Sequence, residues 1–320
     1  MDTIRIDTPC DWWDDFVWES PTGTIFSTLT FLSYHPRSRF EFVNLAVEAE
    51  GRPVAVIAGG EAVRDGRRFF RSPVGASFGG LVLKAGCGLE STLGAVAAVT
   101  AAVRALGYAG VEMVSSPACY WASADQGLNF ALGVAGYRVV SQDATLVVDL
   151  QALDGADLDP VLARNLRKAE KGGLKVSASS DLAGFYDVLV SNLASKGAKP
   201  THSLAELERL VSLFPDRVIL MEGRLDGEVV GGCLVVVSNS RVGLAFYICD
   251  DRSHGPLRVA EATLFGAASL LKRMGLRHFD LGTVSMGDQI NWGLVRFKSK
   301  FAPVTYVREH HVLEFRGAGA

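Results

Sequence analysis

The sequence predicts two related α/β domains in tandem. Three observations carry that prediction. The chain has 320 residues, 48% of them hydrophobic, which is enough for one large core or two ordinary ones. Cap and turn signals divide it into alternating helices and strands. The order of those elements in residues 1–153 then returns, for the most part, in residues 154–320.

The elements of the second half are the more sharply marked. Asp159-Pro160 supplies an N-cap and an N1 proline for a helix to about Lys171. Lys175 to Ala178 reads as a strand. Asp181 caps a helix with Phe185, Leu189 and Leu193 on one face, closed by Gly197. Ser203 to Glu206 fits a capping box for a helix that stops near Pro215. Three β-rich runs follow, 217–222, 228–237 and 241–249, with turns at Asp226-Gly227 and Asn239-Ser240. A helix from about Leu257 closes at Lys272, Arg273 and Gly275. His278 to Leu281 is a strand, Gln289 to Lys298 a helix and Val304 to Leu313 a last strand.

The first half offers counterparts. Ile4 to Ile6 is a strand, followed by helical segments at Trp12–Val17 and Leu29–Tyr34. Phe42–Val47 and Val54–Ala58 are strands joined across Glu50-Gly51, where the second half has Asp226-Gly227. A third strand lies within 69–83, and the extra residues of this half are expected around Ser72 to Gly88. The alanine-rich stretch Leu93–Leu106, broken by Arg104 and too short to span a bilayer, reads as a buried helix ending at Gly107. Val111–Val114 then matches the strand at His278, and Arg138–Val148 matches the last strand. The junction is expected near Asp154 to Asp159.

Charge and cysteine use narrow the function classes. Asp plus Glu outnumber Lys plus Arg by 35 to 32, for a net charge of −3, so any RNA contact must use a local basic patch, and DNA binding is not expected. Five cysteines lie scattered, without CxxC spacing, and read as reduced thiols. The acidic N-terminus, with Asp2, Asp7, Asp11, Asp14 and Asp15, suits neither a signal nor a transit peptide. The expectation is a cytoplasmic protein without a transmembrane segment; peripheral membrane contact stays open. No GxSxG elbow or metal-spaced histidine cluster occurs, and no metal is expected.

Three segments carry a family resemblance. Arg164-Asn165-Leu166-Arg167-Lys168-Ala169-Glu170-Lys171 resembles the basic "R-N-x-R-K-A-E-K" helix that opens the second domain in the FemAB-like branch of the GNAT acyltransferases. His278-Phe279-Asp280-Leu281-Gly282 is similar to its "yDlG" strand, and Gly293 to Phe301 to its "G-l-x-x-F-K-x-x-F" run. The resemblance implies tandem GNAT-like domains, 1–153 and 154–320, each a mixed, mostly antiparallel sheet flanked by helices, with most of the site in the second. It also implies an amide-forming N-acyltransferase that uses aminoacyl-tRNA or acyl-CoA as co-substrate and holds no tightly bound cofactor. The acceptor would be a small-molecule amine on a nucleotide-sugar, a cell-envelope precursor or a peptide-like metabolite.

Two departures bear on the donor. No sustained heptad stretch builds a coiled-coil arm. The pyrophosphate loop (Q/R)xxGx(G/A) is met only in part by Arg252 to Leu257, where Leu257 takes the place of a small residue. That loop and the basic helix tilt the reading slightly toward aminoacyl-tRNA. The missing arm and the acidic net charge pull toward acetyl-CoA, and a non-catalytic binding protein of the same fold is the other alternative.

The candidate residues follow. Lys298 is expected to neutralise a phosphate or a developing oxyanion, against the plainer reading of a solvated lysine. Phe297 either shapes the substrate channel or packs the core. Tyr247 is a candidate acid and Asp250 a candidate base at the end of their strand, against ordinary packing roles. Arg252, His254 and Gly255 precede a helix expected to start near Pro256, whose first turn could hold a phosphate. Arg164, Arg167, Lys168 and Lys171 share one helix face, suited to nucleotide or tRNA phosphates, or simply solvated. Ser72 and Ser77, in a small-residue segment, either donate hydrogen bonds to substrate or belong to a tight bulged hairpin.

Overall fold

In the computed structural model, residues 1–6, 10–153 and 158–315 are described. Of the expected junction, 154–157 lie outside them.

The first half runs β1 (Asp2–Ile6), α1 (Asp11–Glu19), α2 (Leu29–Leu32), β2 (Phe42–Ala49), β3 (Arg52–Arg64), β4 (Arg67–Ser72), β5 (Val82–Leu83), α3 (Leu89–Ala105), β6 (Gly110–Val114), α4 (Gly127–Val134) and β7 (Arg138–Asp149). The second half runs α5 (Pro160–Lys171), β8 (Lys175–Ser179), α6 (Leu182–Ala194), α7 (Leu204–Leu213), β9 (Val218–Leu225), β10 (Glu228–Val237), β11 (Val242–Asp250) and α8 (Val259–Arg273). It closes with β12 (His278–Thr283), β13 (Ser285–Met286), β14 (Gln289–Ile290), α9 (Trp292–Lys298) and β15 (Val304–Glu314).

Two compact units result, and neither is a simple half of the chain. One holds residues up to Ala144, 286–288 and those from Val307 on; the other holds 145–285 and 289–306. The first unit's sheet has the order β1-β2-β3-β4-β6-β15 and the second's β8-β9-β10-β11-β12-β7. In each, the fourth and fifth strands pair in parallel, β4 with β6 and β11 with β12, and the other neighbouring strands in these orders pair antiparallel. The element-order repeat is therefore a repeat of sheet topology. The closing strands are exchanged: His310–Glu314 of β15 pair with β6, and Thr145–Asp149 of β7 pair with β12. A division at 153/154 follows the sequence repeat, whereas the compact units do not.

The second unit's sheet is covered on both faces because adjacent glycines let two helices close in. A Cβ on Gly231 would lie 2.8 Å from Val259 Cγ1 of α8, and one on Gly232 would lie 2.8 Å from Phe185 Cδ2 of α6. Its core gathers Val235, Ala245, Leu264, Leu271, Phe279 and Phe301. The first unit's core packs Val43, Leu45, Ile57, Phe70 and Met113 against Val96, Val99 and Val103 of α3.

Several expected elements shift for physical reasons. α3 is buried along one face only, at Thr92, Ala95, Val96, Val99 and Val103, rather than all round. The helix expected from Leu257 begins at Val259, because Arg258 sits in the left-handed region and Pro256 belongs to a separate 3-10 turn. Gln289 and Ile290 form a short strand, and the helix starts after Asn291, whose Oδ1 accepts from Leu294 N. α2 ends at Leu32, short of Tyr34. α4 was not anticipated; its N-cap Gln126 makes no side-chain cap bond, and Asp125, one position earlier, accepts from Gly127 N instead.

Candidate active site in the second unit

The site begins where β11 and β12 part. Val242, Gly243 and Leu244 pair with His278, Phe279 and Asp280, and β11 then runs on to Asp250 without its neighbour. A bulge helps: Leu234 opposes Tyr247 and Val235 opposes Ala245, leaving Phe246 as the extra residue. Such a bulge bends a strand and re-aims its side chains.

Lys298 lies at that parting. Its Nζ donates to Gly282 O at 2.8 Å and Thr283 O at 3.0 Å, and the side chain is 4% exposed. Gly282 is left-handed, with φ of 85°; a Cβ there would stand 3.6 Å from Lys298 Nζ and 3.8 Å from Ala245 O. The reading of Lys298 as a solvated surface lysine is therefore overturned: its ammonium is buried against the end of β12. Asp280, also buried, accepts from Thr145 Oγ1 and from Gly282 N, which fixes the same turn. Phe297 is half-buried against the core, with Lys300 Nζ 5.5 Å from its ring centroid.

The freed part of β11 presents Tyr247 and Asp250. Tyr247 Oη lies 2.8 Å from His202 Nδ1 and accepts from Thr201 N at 3.2 Å. Burial pushes the phenol above its ordinary value, so it stays protonated. Asp250 accepts from Asn192 Nδ2 at 3.0 Å, and Lys196 Nζ donates to Asn192 Oδ1 at 2.7 Å. Burial raises the Asp250 carboxyl, opposed by the Lys196 charge and reinforced by Glu261. A carboxylate shifted upward is a better proton acceptor near neutral pH.

A second lysine braces the site. Glu261, 5% exposed in the first turn of α8, receives Lys300 Nζ at 2.8 Å and Asn165 Nδ2 at 3.4 Å. His202, Asn192, Lys196, Glu261 and Lys300 were not anticipated. Only Glu261 had a local signal, as an acid at a helix start; the others are recruited across the fold.

The remaining candidates stand elsewhere. Arg164, Arg167, Lys168 and Lys171 line the exposed face of α5, opposite the buried Leu162, Asn165 and Ala169, and no carboxylate pairs with them among the described residues. Arg252 is exposed and His254 and Gly255 are half-buried in the 3-10 turn before α8. Asp251 accepts from Ser253 N, and that bond holds its carboxyl below the usual range. Leu257 packs toward α5, 2.3 Å from where a Cβ on Gly172 would be. Ser72 and Ser77 lie in the first unit. Ser72 is fully buried, donating to Ala58 O at 2.6 Å and accepting from Gly80 N at 2.9 Å, whereas Ser77 is half-exposed on a cavity wall.

Residues 160–299 match the family described as acetyltransferase (GNAT) domain. This segment is similar to a GNAT domain. It contains the parted strands, Lys298 and all but the last residues of the "F-K-x-x-F" run, and the activity class that goes with it is acyl transfer. The chain has the fold of FemX (TM-score 0.74, 11% identity, covering 98% of this chain and 97% of that one). It is also similar to L-PGS from Bacillus licheniformis (0.64, 14%, 95% and 91%) and to a tandem GNAT protein from the clavulanic acid biosynthesis pathway (0.57, 13%, 98% and 98%). The likeness in fold thus extends beyond the matched segment to nearly the whole chain. No curated protein sequence matches it. Among the described residues no helix is long and apolar enough to cross a membrane.

Proposed function

We propose that this protein forms an amide by moving an acyl or aminoacyl group from an activated ester or thioester to an amine. The observation that carries this is the parting of β11 from β12 with Lys298 Nζ at its base and Tyr247 and Asp250 on the freed strand. The amine nitrogen bonds to the donor carbonyl carbon and the C–O or C–S bond breaks. Asp250 takes the amine's proton, and Tyr247 delivers one to the leaving oxygen or sulfur. Lys298 holds the end of β12 and adds positive charge where the oxyanion develops; Phe297 lines the approach. The acceptor is a small-molecule amine of a nucleotide-sugar, cell-envelope precursor or peptide-like metabolite.

Aminoacyl-tRNA is favoured as donor over acyl-CoA. The buried Glu261 carboxylate already complements the positive end of α8, which weakens the case for a pyrophosphate beside Arg252, His254 and Gly255. The exposed cations Arg164, Arg167 and Lys168, in contrast, suit a phosphate backbone. Use of that donor places the reaction in the cytoplasm. The test is binding of aminoacylated tRNA and of acetyl-CoA at two salt concentrations. Salt-sensitive tRNA binding that weakens in Arg164→Glu and Lys168→Glu supports this donor. Saturable acetyl-CoA binding with little salt dependence makes the protein an acetyl-CoA enzyme instead. If neither binds, or if Lys298→Met, Tyr247→Phe and Asp250→Asn all turn over normally, the catalytic reading fails.

A further inference from the structure

The first unit's parallel pair opens and closes again. Phe70, Arg71 and Ser72 of β4 pair in parallel with Val111, Glu112 and Met113 of β6, the chain leaves the ladder after Ser72, and Gly79 rejoins it beside Ser115, its N–H donating to Val114 O at 2.8 Å. A cavity of 440 Å3 opens beside the loop 73–80, walled by the loop, Arg71, Glu61, Asp143, Arg308 and His310. The volume falls within the ~300–1,000 Å3 typical of small-molecule sites.

The walls are built and held. His35 Nε2 lies 2.6 Å from Gly75 O, and Gly75 is left-handed with no room for a side chain, since a Cβ would lie 2.5 Å from the same nitrogen. Ser72 ties the loop's far end through Gly80 N. Arg308, 9% exposed, lays its guanidinium over the Phe78 ring at 5.2 Å from the centroid. Both carboxylates on the wall have partners of their own. Asp143 Oδ2 lies 2.8 Å from His310 Nε2 and its Oδ1 accepts from Gly287 N at 2.7 Å, while Glu61 accepts from Arg68 Nε at 2.6 Å. Arg71 is exposed and its guanidinium has no ion pair or hydrogen bond to a described residue.

We infer that this cavity is a ligand site in its own right, for a small molecule bearing a carboxylate or phosphate group held by Arg71 and Arg308, with Ser77 as a further donor. Two guanidiniums at one cavity match the planar, forked acceptors of such anions better than ammonium groups would. His310, oriented by Asp143, is then placed to accept or donate a hydrogen bond to the uncharged part of the ligand. Nothing in this site depends on the acyl-transfer reading.

The test is calorimetric titration of the full chain with inorganic pyrophosphate and, separately, with succinate. Saturable binding of either probe is expected, weakened about tenfold by Arg71→Ala, the loss of roughly one charge-assisted contact. Binding of pyrophosphate alone assigns a phosphate ligand, and of succinate alone a carboxylate. Arg71 is exposed, so its variant keeps the fold. Ser77→Ala, which removes only a hydroxyl, is expected to weaken binding less. The inference is overturned if neither probe binds, if Arg71→Ala binds as the parent does, or if Arg164→Glu and Lys168→Glu on α5 abolish the binding instead. No step requires turnover, so the result is independent of whether the second unit catalyses acyl transfer.

Discussion

Lys300 Nζ and Glu261 Oε1 lie 2.8 Å apart, and that ion pair joins the segment after α9 to the first turn of α8. Asn165 of α5 bonds the same carboxylate. Asn165 of the basic helix motif and Lys300 of the "F-K-S-K-F" run, 135 positions apart (300 − 165), therefore meet at one buried acid.

Removing Lys300 leaves Glu261 buried without its cation. Breaking a fully buried pair costs about 3–5 kcal/mol; Lys300 is partly exposed, so Lys300→Met is expected to cost about 2 kcal/mol after discounting for solvent screening. Lys300→Met with Glu261→Gln should cost less than the two single changes added together. Urea unfolding of the four proteins measures the coupling, and simple additivity would refute it.

Asp250 is expected to trade stability for function. Its carboxyl is raised by burial, so the charged form is disfavoured in the folded state. Asp250→Asn keeps an acceptor for Asn192 and removes that charge. It should unfold at equal or higher urea concentration while losing activity. A clear fall in stability would make Asp250 a structural residue.

Two histidines set the response to mild acid. Burial lowers both His278 and His311 from the ordinary histidine value. The folded chain keeps them neutral where the unfolded chain takes up protons, so stability is complete above about pH 6.5 and is lost as pH falls below it. The urea midpoint should drop between about pH 7 and pH 5.5, and the drop should be smaller in His278→Gln. The carboxylates held low, Asp149 and Glu314, act only in more acidic solution. An unchanged slope in the variant would remove His278 from the account.

Gly282 couples backbone conformation to Lys298. Its φ of 85° is one that a side chain resists, and its carbonyl receives Nζ. Gly282→Ala should cost about 1–2 kcal/mol and lower turnover together with stability. Lys298→Met should lower turnover more than Gly282→Ala does. If Gly282→Ala is as stable and active as the parent, the turn does not position Lys298.

Most elements were legible because their signals are local. Asp159-Pro160, the Ser203 capping box and the Asp226-Gly227 turn each act within a few residues, and the sheet's burial pattern follows from the apolar runs. The start of α8 was misplaced because Arg258, not the proline, takes the left-handed conformation. Of the candidate site, Lys298 and Phe297 are picked out by a family motif, and Tyr247 and Asp250 by their place at a strand's end. The partners of Tyr247 and Asp250 are not, because His202 and Asn192 reach them from other elements.

The sequence by itself determined the order of helices and strands, the pairing of the two halves as repeats, and the residue types available for acyl transfer. Tertiary structure alone decided that β7 and β15 each close the other half's sheet, that Lys298 is buried on two carbonyls, and that Arg71 and Arg308 share a cavity. The reason is range. Caps, turns and periodicity act over a few residues of chain, whereas strand partners, ion pairs and cavity walls are chosen by packing between residues tens to hundreds of positions apart.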